Sequence, residues 1–261
     1  MFILPSEQKI FNEYINNGYI IAKVSDINKI NEIRDFFINS IKKKFPKIKN
    51  QDSNFILNNF HKYISIKKLN EFRLHIINAV NSIKDFRGIY YSLAKEYINC
   101  IVGNELAMQQ RINLSIQLPN DKSSLLPIHS DTWSGDSPFE TVVWMPLVDC
   151  YKTKSMYILP PKKMNFINKV FKKNLDTEIL FKKIKKDVVW LKVNYGEFLI
   201  FNQNLPHGNV INIESETRWS FNCRFKSIFS PYGDKKLGEF FEPISLRPAS
   251  KIGMYYKYPK V

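Results

Sequence analysis

The sequence predicts an α+β fold in which N-terminal helices buttress a jelly roll of two β-sheets. Apolar residues recur at helical spacing up to Gly103, and polar and apolar residues alternate beyond it. Many short strand-like runs follow, separated by turn residues. Helices first and strands later indicate this fold class. We therefore predict one domain over residues 1–261, with a mainly helical part at 1–103 and the jelly-roll core at 104–261.

The helical part is predicted to contain four helices and one early strand. Asp26 is suited to start the second helix, which Pro46 ends, and residues 18–24 form the strand. The segment at 51–65 fits no single class. The predicted helices cover residues 6–17, 26–44, 67–84 and 88–102.

The strand-rich part begins with a regular alternation at residues 111–118. Its polar face carries Arg111, Asn113, Ser115 and Gln117, and this face either meets solvent or lines a ligand cavity. The Lys-rich stretch at 162–186 interrupts the strands and is predicted to be a helical insertion. The other predicted strands cover residues 127–131, 140–147, 155–159, 187–193, 197–202, 208–213 and 217–228.

Charge and composition narrow the function classes. The formal net charge is +15, and only 7 of the 39 basic residues are arginine. Such a charge can attract anions, but lysines scattered along the chain favour a solvated surface. No recognised nucleic-acid-binding motif is present, so we expect no nucleic-acid partner.

The same composition gives an expectation for the compartment. No apolar run approaches the roughly 18 residues of a membrane span, and the first residues lack the features of a signal peptide. Three widely separated cysteines form neither a metal-type spacing nor an obvious disulfide set. We expect a cytoplasmic protein without membrane insertion.

Three residues form a candidate metal site. His129 and Asp131 are two positions apart, so in extended backbone both side chains point the same way. His207 would join them from a distant strand. An isolated His-x-Asp is common by chance, but this chain has only four histidines, and His61 and His75 lie in the helical half. Two imidazoles and one carboxylate on one face of iron(II) leave positions open for a cosubstrate and dioxygen.

A second pair of residues is suited to bind a carboxylate. Arg218 and Ser220 share one face of a predicted strand. A guanidinium grips a carboxylate through two charge-assisted hydrogen bonds, and the hydroxyl would add a third. The plainer alternative is a surface ion pair of Arg218 with Glu214 or Glu216. The candidate metal site upstream favours carboxylate capture.

With these motifs the chain resembles the iron(II)/2-oxoglutarate-dependent oxygenases, and within them the phytanoyl-CoA-dioxygenase-like branch. Its segments 127–132, 144–147, 155–160 and 217–222 are similar to those of oxygenases from bacterial surface-polysaccharide and aminoglycoside gene clusters. A Gly-rich stretch of many relatives is replaced here by Tyr157-Ile-Leu-Pro-Pro161. Asp131 supplies the carboxylate ligand, which argues against a halogenase.

The resemblance implies a double-stranded β-helix (jelly-roll or cupin-like) core and a definite set of site residues. His129, Asp131 and His207 would bind iron(II), and Arg218 and Ser220 would hold the distal carboxylate of 2-oxoglutarate. Dioxygen would be the other cosubstrate. Gln117 or Asn113 would also contact 2-oxoglutarate, and the pattern does not decide between them.

For the substrate we expect a carbohydrate or nucleotide sugar, hydroxylated at a C–H bond. Candidate substrate residues are Arg111, Trp133, Tyr157 and Arg224, with Trp219 a further aromatic near the motifs. Three alternatives stay open. They are the same chemistry on a lipid-like or protein substrate, a metal-dependent jelly-roll isomerase or epimerase, and a non-catalytic binding module. The sequence leaves the oligomeric state open.

Overall fold

A computed structural model describes residues 4–48, 50–165, 167 and 176–259 of the chain. Helices dominate up to Val102 and antiparallel strands follow, so the α+β prediction is confirmed. No helix in the described ranges is long and apolar enough to cross a membrane. The helices are α1 Pro5–Asn17, α2 Ile27–Lys44, α3 Ser53–Asn58, α4 Ile66–Asn81, α5 Phe86–Leu93, α6 Lys95–Val102, α7 Thr177–Ile184 and α8 Pro248–Tyr255.

The strands form two antiparallel sheets. The larger sheet has the order β1-β7-β4-β9-β2-β10, with β3 also paired to β9, and the smaller has the order β6-β5-β8. The strands are β1 Tyr19–Lys23, β2 Leu106–Gln109, β3 Asn113–Gln117, β4 Glu140–Pro146, β5 Tyr157–Ile158, β6 Val189–Trp190, β7 Glu197–Asn202, β8 His207–Gly208, β9 Arg218–Ser227 and β10 Phe241–Ser245.

The two faces of strand β9 have different surroundings, and one of them packs against the hydrophobic core. Trp219 and Phe221 point to the core, where the Trp219 ring packs 5.0 Å from Phe60 and its indole N–H donates to the Leu57 carbonyl. Arg218 and Ser220 lie on the other face. Trp219 is therefore a core residue that joins β9 to the helices.

Strand β3 is the partner of the first half of β9. Gln117 lies opposite Arg218, Ser115 opposite Ser220, and Asn113 opposite Asn222. These polar residues of the two strands therefore share one face of the sheet. The polar face of residues 111–118 thus lies beside the predicted carboxylate-binding pair.

Several predicted boundaries were wrong. Residues 127–131 form no strand, and only a single bridge joins His129 to His207. The strand expected at 208–213 ends at Gly208, because the Asn209 side chain turns to the backbone of Leu126 and Ser124. The helix expected at 88–102 breaks at Ala94, whose φ of −127° is not helical.

Other elements had no clear sequence signal. Helix α3, strands β2 and β10 and helix α8 were not predicted as separate elements. Within the segment predicted as a helical insertion, residues 162–186, the structure has part of a 3₁₀ turn at Pro161–Lys163 and helix α7. Residues 166 and 168–175 of that prediction lie outside the described residues.

Candidate metal centre and cavity

The structure brings His129, Asp131 and His207 together. One potential ligand atom from each side chain lies within 4.8 Å of the other two. The two histidines face each other across paired backbone hydrogen bonds of 3.0 and 2.8 Å, and their ring centroids are 4.4 Å apart. Asp131 begins a 3₁₀ turn directly after this bridge. The three residues are arranged to hold one metal ion.

Hydrogen bonds to the backbone orient both imidazoles. The Nδ1 atom of His129 lies 2.7 Å from the Pro127 carbonyl, and that of His207 lies 2.8 Å from the Leu205 carbonyl. Since a carbonyl only accepts, Nδ1 carries the proton and Nε2 offers its lone pair. Burial lowers the pKa of His207 to about 4, so this ring is neutral near pH 7. A neutral imidazole is the form that binds a metal.

Arg224 orients the Asp131 carboxylate through a hydrogen-bonded ion pair. Its Nη2 donates to Asp131 Oδ2 at 2.8 Å, while Asp131 Oδ1 lies 3.5 Å from His129 Nε2. Burial would raise the pKa of Asp131, but the charge of Arg224 and its hydrogen bond, together with the neighbouring histidines, outweigh burial and lower the pKa. The carboxylate is therefore ionised, with one oxygen bonded to Arg224 and the other directed toward the histidines.

A polar network fixes Arg224 in turn. Its Nε donates to Gln203 Oε1 at 3.1 Å, and Gln203 donates to Glu140 at 3.1 Å. Asp136 lies 3.6 Å from Arg224 and also pairs with Lys235. Sequence reasoning missed Gln203 and Glu140, because no short motif links either residue to His129 or Asp131.

Arg218 lies buried with no acidic partner among the described residues. Its Nη2 donates to Ser115 Oγ at 3.1 Å and its Nη1 to the Ser155 carbonyl at 3.3 Å. The alternative ion pair is absent, because Glu216 pairs with Lys154 at 2.7 Å and Glu214 accepts from Thr153. Burial lowers the pKa of Arg218 to about 10, which leaves the guanidinium charged near pH 7.

Several buried polar atoms of Arg218 and its neighbours lack hydrogen-bond partners. Among the described residues, six buried side-chain polar atoms have no partner, and four of these belong to this group. They are Arg218 Nε, Ser220 Oγ, Gln117 Oε1 and Ser155 Oγ. An unpaired buried charge and unsatisfied polar atoms are costly, and native proteins rarely keep them without a purpose. The group is suited to receive an anion.

One cavity of about 250 Å³ joins the metal ligands to Arg218. It is lined by His129, Asp131, His207, Arg218 and Arg224, together with Asn113 and Ser115 of β3. Ser220 lies between Arg218 and Asn222 on the same face of β9. Gln117 is buried beside Arg218 and donates to the Val210 carbonyl.

Three predicted substrate residues lie off this cavity. Arg111 is exposed and outside the cavity lining. Trp133 is half-buried and packs against the small apolar cluster that contains Ile128. Tyr157 is buried against Phe181, with ring centroids 4.8 Å apart. A Cβ atom added to Gly208 would lie 2.8 Å from the Tyr157 hydroxyl oxygen, which is too close. Only glycine fits beside that hydroxyl, which makes Tyr157 a packing partner of β8.

The fold matches those of several solved structures, among them one described as a non-haem monooxygenase. No protein-family model and no curated protein sequence matches this chain. A complex of nickel with ThoJ, a non-haem monooxygenase, has a TM-score of 0.57 at 12% identity and covers 92% of this chain and 85% of its own. AviO1 from Streptomyces viridochromogenes Tue57 has a TM-score of 0.56 at 13% identity, covering 89% and 100%.

A third similar structure was solved with a cosubstrate. EctD from S. alaskensis, with 2-oxoglutarate and 5-hydroxyectoine, has a TM-score of 0.56 at 14% identity and covers 88% of this chain and 78% of its own. These likenesses show that the chain shares the fold of these proteins, and this fold places a potential three-residue metal site beside a buried arginine.

Proposed function

We propose that this protein is a non-haem iron(II)- and 2-oxoglutarate-dependent oxygenase that acts on a small molecule. The observation that carries the proposal is Arg218, a buried guanidinium without an acidic partner in the described chain, in the same cavity as His129, Asp131 and His207. A metal site alone fits many activities. A metal site joined to a buried guanidinium that no acidic residue neutralises fits a cosubstrate that chelates the metal at one end and ends in a carboxylate at the other.

The residues of the cavity fit both iron(II) and 2-oxoglutarate. Two imidazoles and one ionised carboxylate are a typical ligand set for iron(II) and leave an open face. The Arg218 guanidinium and the Ser220 hydroxyl would hold the distal carboxylate of 2-oxoglutarate, and Ser155 lies close enough to add a donor. Asn113 lines the cavity and Gln117 retains an unsatisfied amide oxygen, so either could contact the cosubstrate.

The chain's residues would bind and orient, and the hard chemistry would belong to the cofactors. Bound iron(II) and 2-oxoglutarate would supply the activation of dioxygen, with one oxygen atom entering the substrate and the other entering succinate as carbon dioxide leaves. Arg224 would keep the Asp131 carboxylate in one orientation. The apolar lining residues Val142, Met156 and Phe201 would limit water in the cavity.

The finer points are also proposals. The motifs described above favour the phytanoyl-CoA-dioxygenase-like branch, a double-stranded β-helix core and a single domain over residues 1–261. The amide and hydroxyl side chains in the lining, those of Asn113, Ser115, Asn209 and Asn222, support hydroxylation of a carbohydrate or nucleotide-sugar substrate. We further propose a cytoplasmic location, since the composition fits a reducing compartment.

The first test is an anaerobic titration of the protein with iron(II) and 2-oxoglutarate, followed by the weak visible charge-transfer band of the chelated cosubstrate. We expect a saturable band that is lost in Asp131→Ala and requires far more 2-oxoglutarate in Arg218→Ala. Two residues outside the cavity lining provide matched controls, the half-buried Asp187 in Asp187→Ala and the exposed Arg247 in Arg247→Ala. Bound metal without a band in the native protein would indicate an isomerase, and absence of metal binding would indicate a binding module.

A further inference from the structure

We propose that the groove between helix α4 and strand β3 is the substrate site, and that it takes a polyhydroxylated molecule with one anionic group, such as a sugar phosphate. This inference rests on the proposed function, because it places the substrate beside the metal. It follows from the shape, the anchoring and the charge of a second cavity.

The groove continues from the metal cavity. It has a volume of about 450 Å³, larger than that of the metal cavity. Four residues line both spaces, namely Asn113, Ser115, Leu126 and Asn222. A molecule in the groove would therefore lie next to the space that holds His129 and Asp131. The two cavities together provide one place for the cosubstrate and another for the molecule to be oxidised.

One wall of the groove is fixed by the C-terminal end of α4. The Asn81 side chain donates to the Ile112 carbonyl at 3.0 Å and accepts from the Ile112 N–H at 2.9 Å. These two bonds hold α4 against the start of β3. The position of Arg73 on α4 relative to Asn113 is thus set by the fold.

The opposite wall is the loop at residues 121–126, which is equally well anchored. The buried Asp121 accepts hydrogen bonds from the hydroxyls of Ser123 and Ser124. Asn209 accepts the Leu126 N–H at 2.7 Å, two residues beyond the metal ligand His207. This loop is therefore tied to the metal centre, and the groove is a built site with two fixed walls.

The polar groups of the groove suit hydroxyl groups. Asn113 Nδ2 donates to Asn222 Oδ1 at 3.0 Å, which leaves the second amide atom of each residue available. Because Ser123 and Ser124 donate their protons to Asp121, their oxygens remain free to accept from a ligand. Mixed donors and acceptors at the junction match the hydroxyls of a sugar, which both donate and accept.

The charged side chain that lines the groove is suited to bind an anionic group. Arg73 is the one charged residue among the described residues that line it. Its Nη2 donates to Asn70 at 2.7 Å, and no described acidic residue pairs with it. The Arg73 guanidinium, whose hydrogen bond to Asn70 is exposed, retains N–H groups for a phosphate, the kind of group that Arg recognises through paired hydrogen bonds. A neutral sugar would leave this charge unused.

The test compares Arg73→Gln with the native protein in calorimetric binding of glucose 1-phosphate, glucose 6-phosphate, UDP-glucose and glucose. We expect at least one phosphorylated sugar to bind at least tenfold more tightly than glucose. Loss of the charge-assisted hydrogen bonds in Arg73→Gln should weaken that binding by about tenfold or more. Arg247→Gln is the matched control and should bind as the native protein does.

A second readout tests whether the groove meets the metal cavity. The phosphorylated sugar should shift the visible band of the native protein loaded with iron(II) and 2-oxoglutarate. In Arg73→Gln the sugar should leave the band unshifted, and the 2-oxoglutarate requirement should equal that of the native protein. Binding that does not depend on Arg73, equal binding of glucose, no binding by any of the four, or binding without a band shift would each overturn the inference. The calorimetry does not need iron or 2-oxoglutarate, so a failure of the proposed function would be seen separately, as a missing band.

Discussion

The two ends of the cavity differ in how their side chains are held. At the His129 end, a hydrogen bond orients each of the three candidate metal ligands. At the Arg218 end, a buried charge lies among polar atoms that have no hydrogen-bond partner. Pro127, Leu205 and Arg224 orient the three ligands. Around Arg218, the Ser220 hydroxyl and the Gln117 amide oxygen have no partner. The first end is preorganised, and by our proposal the second is completed by the carboxylate of the cosubstrate. The two ends should therefore respond differently to mutation.

The largest effect is expected from Asp131→Ala, which removes a ligand at the preorganised end. Iron(II) affinity should fall by more than about 100-fold, beyond the loss typical of a single outer hydrogen bond. Oxygenase turnover should fall below detection. Calorimetric metal titration checks this, with Asp187→Ala as the carboxylate control. Metal affinity within a factor of about three of the native value would mean that the three residues are not the metal site.

The next effect is expected from Arg218→Met at the other end of the cavity. Because charge-assisted hydrogen bonds to a carboxylate are lost, the 2-oxoglutarate concentration for half-saturation should rise by roughly 100-fold or more. Iron(II) affinity should change little, since Arg218 does not contact the ligands in the structure. The visible-band titration measures the first quantity and calorimetry the second. A parallel loss of both would contradict the division of the cavity into two ends.

A smaller effect is expected from Arg224→Gln, which removes the support of Asp131 but retains every ligand. Metal affinity should fall by about tenfold to 100-fold, as is typical when an outer hydrogen bond to a ligand is lost. The 2-oxoglutarate requirement at saturating iron(II) should stay close to the native value. Titration of both components distinguishes this pattern from that of Arg218→Met. An unchanged metal affinity would show that Arg224 does not position Asp131.

The smallest effect concerns stability without ligands. Replacing a buried, unpaired charge by a side chain of similar volume is often neutral or stabilising, so Arg218→Met should unfold at the native temperature or slightly above it. Excess 2-oxoglutarate should stabilise the metal-loaded native protein by about 2.7 kcal/mol at a hundred times its Kd, and the variant hardly at all. Thermal unfolding with and without 2-oxoglutarate measures both. A marked loss of stability in the ligand-free variant would show that Arg218 is structural.

The parts of the fold that sequence reasoning predicted are those with a local periodic signal. Helix α2 follows its Asp26 cap, and β7 covers residues 197–202 as expected. The short segments beside the metal were predicted poorly. His129 and His207 meet through a single bridge, and this contact depends on residues 78 positions apart in the chain and not on local alternation.

The sequence by itself determined which residue types are available for the site and which of them share a face. Because side chains of extended backbone alternate with a period of two residues, Arg218 and Ser220 lie on the same face, and so do His129 and Asp131 on either side of the extended Ser130. Only the tertiary structure decided which charges are paired. It directed Glu216 to Lys154, left Arg218 without an acid among the described residues, and placed Arg224 behind Asp131. Pairing and burial depend on contacts between distant segments, so a one-dimensional pattern could not reveal them.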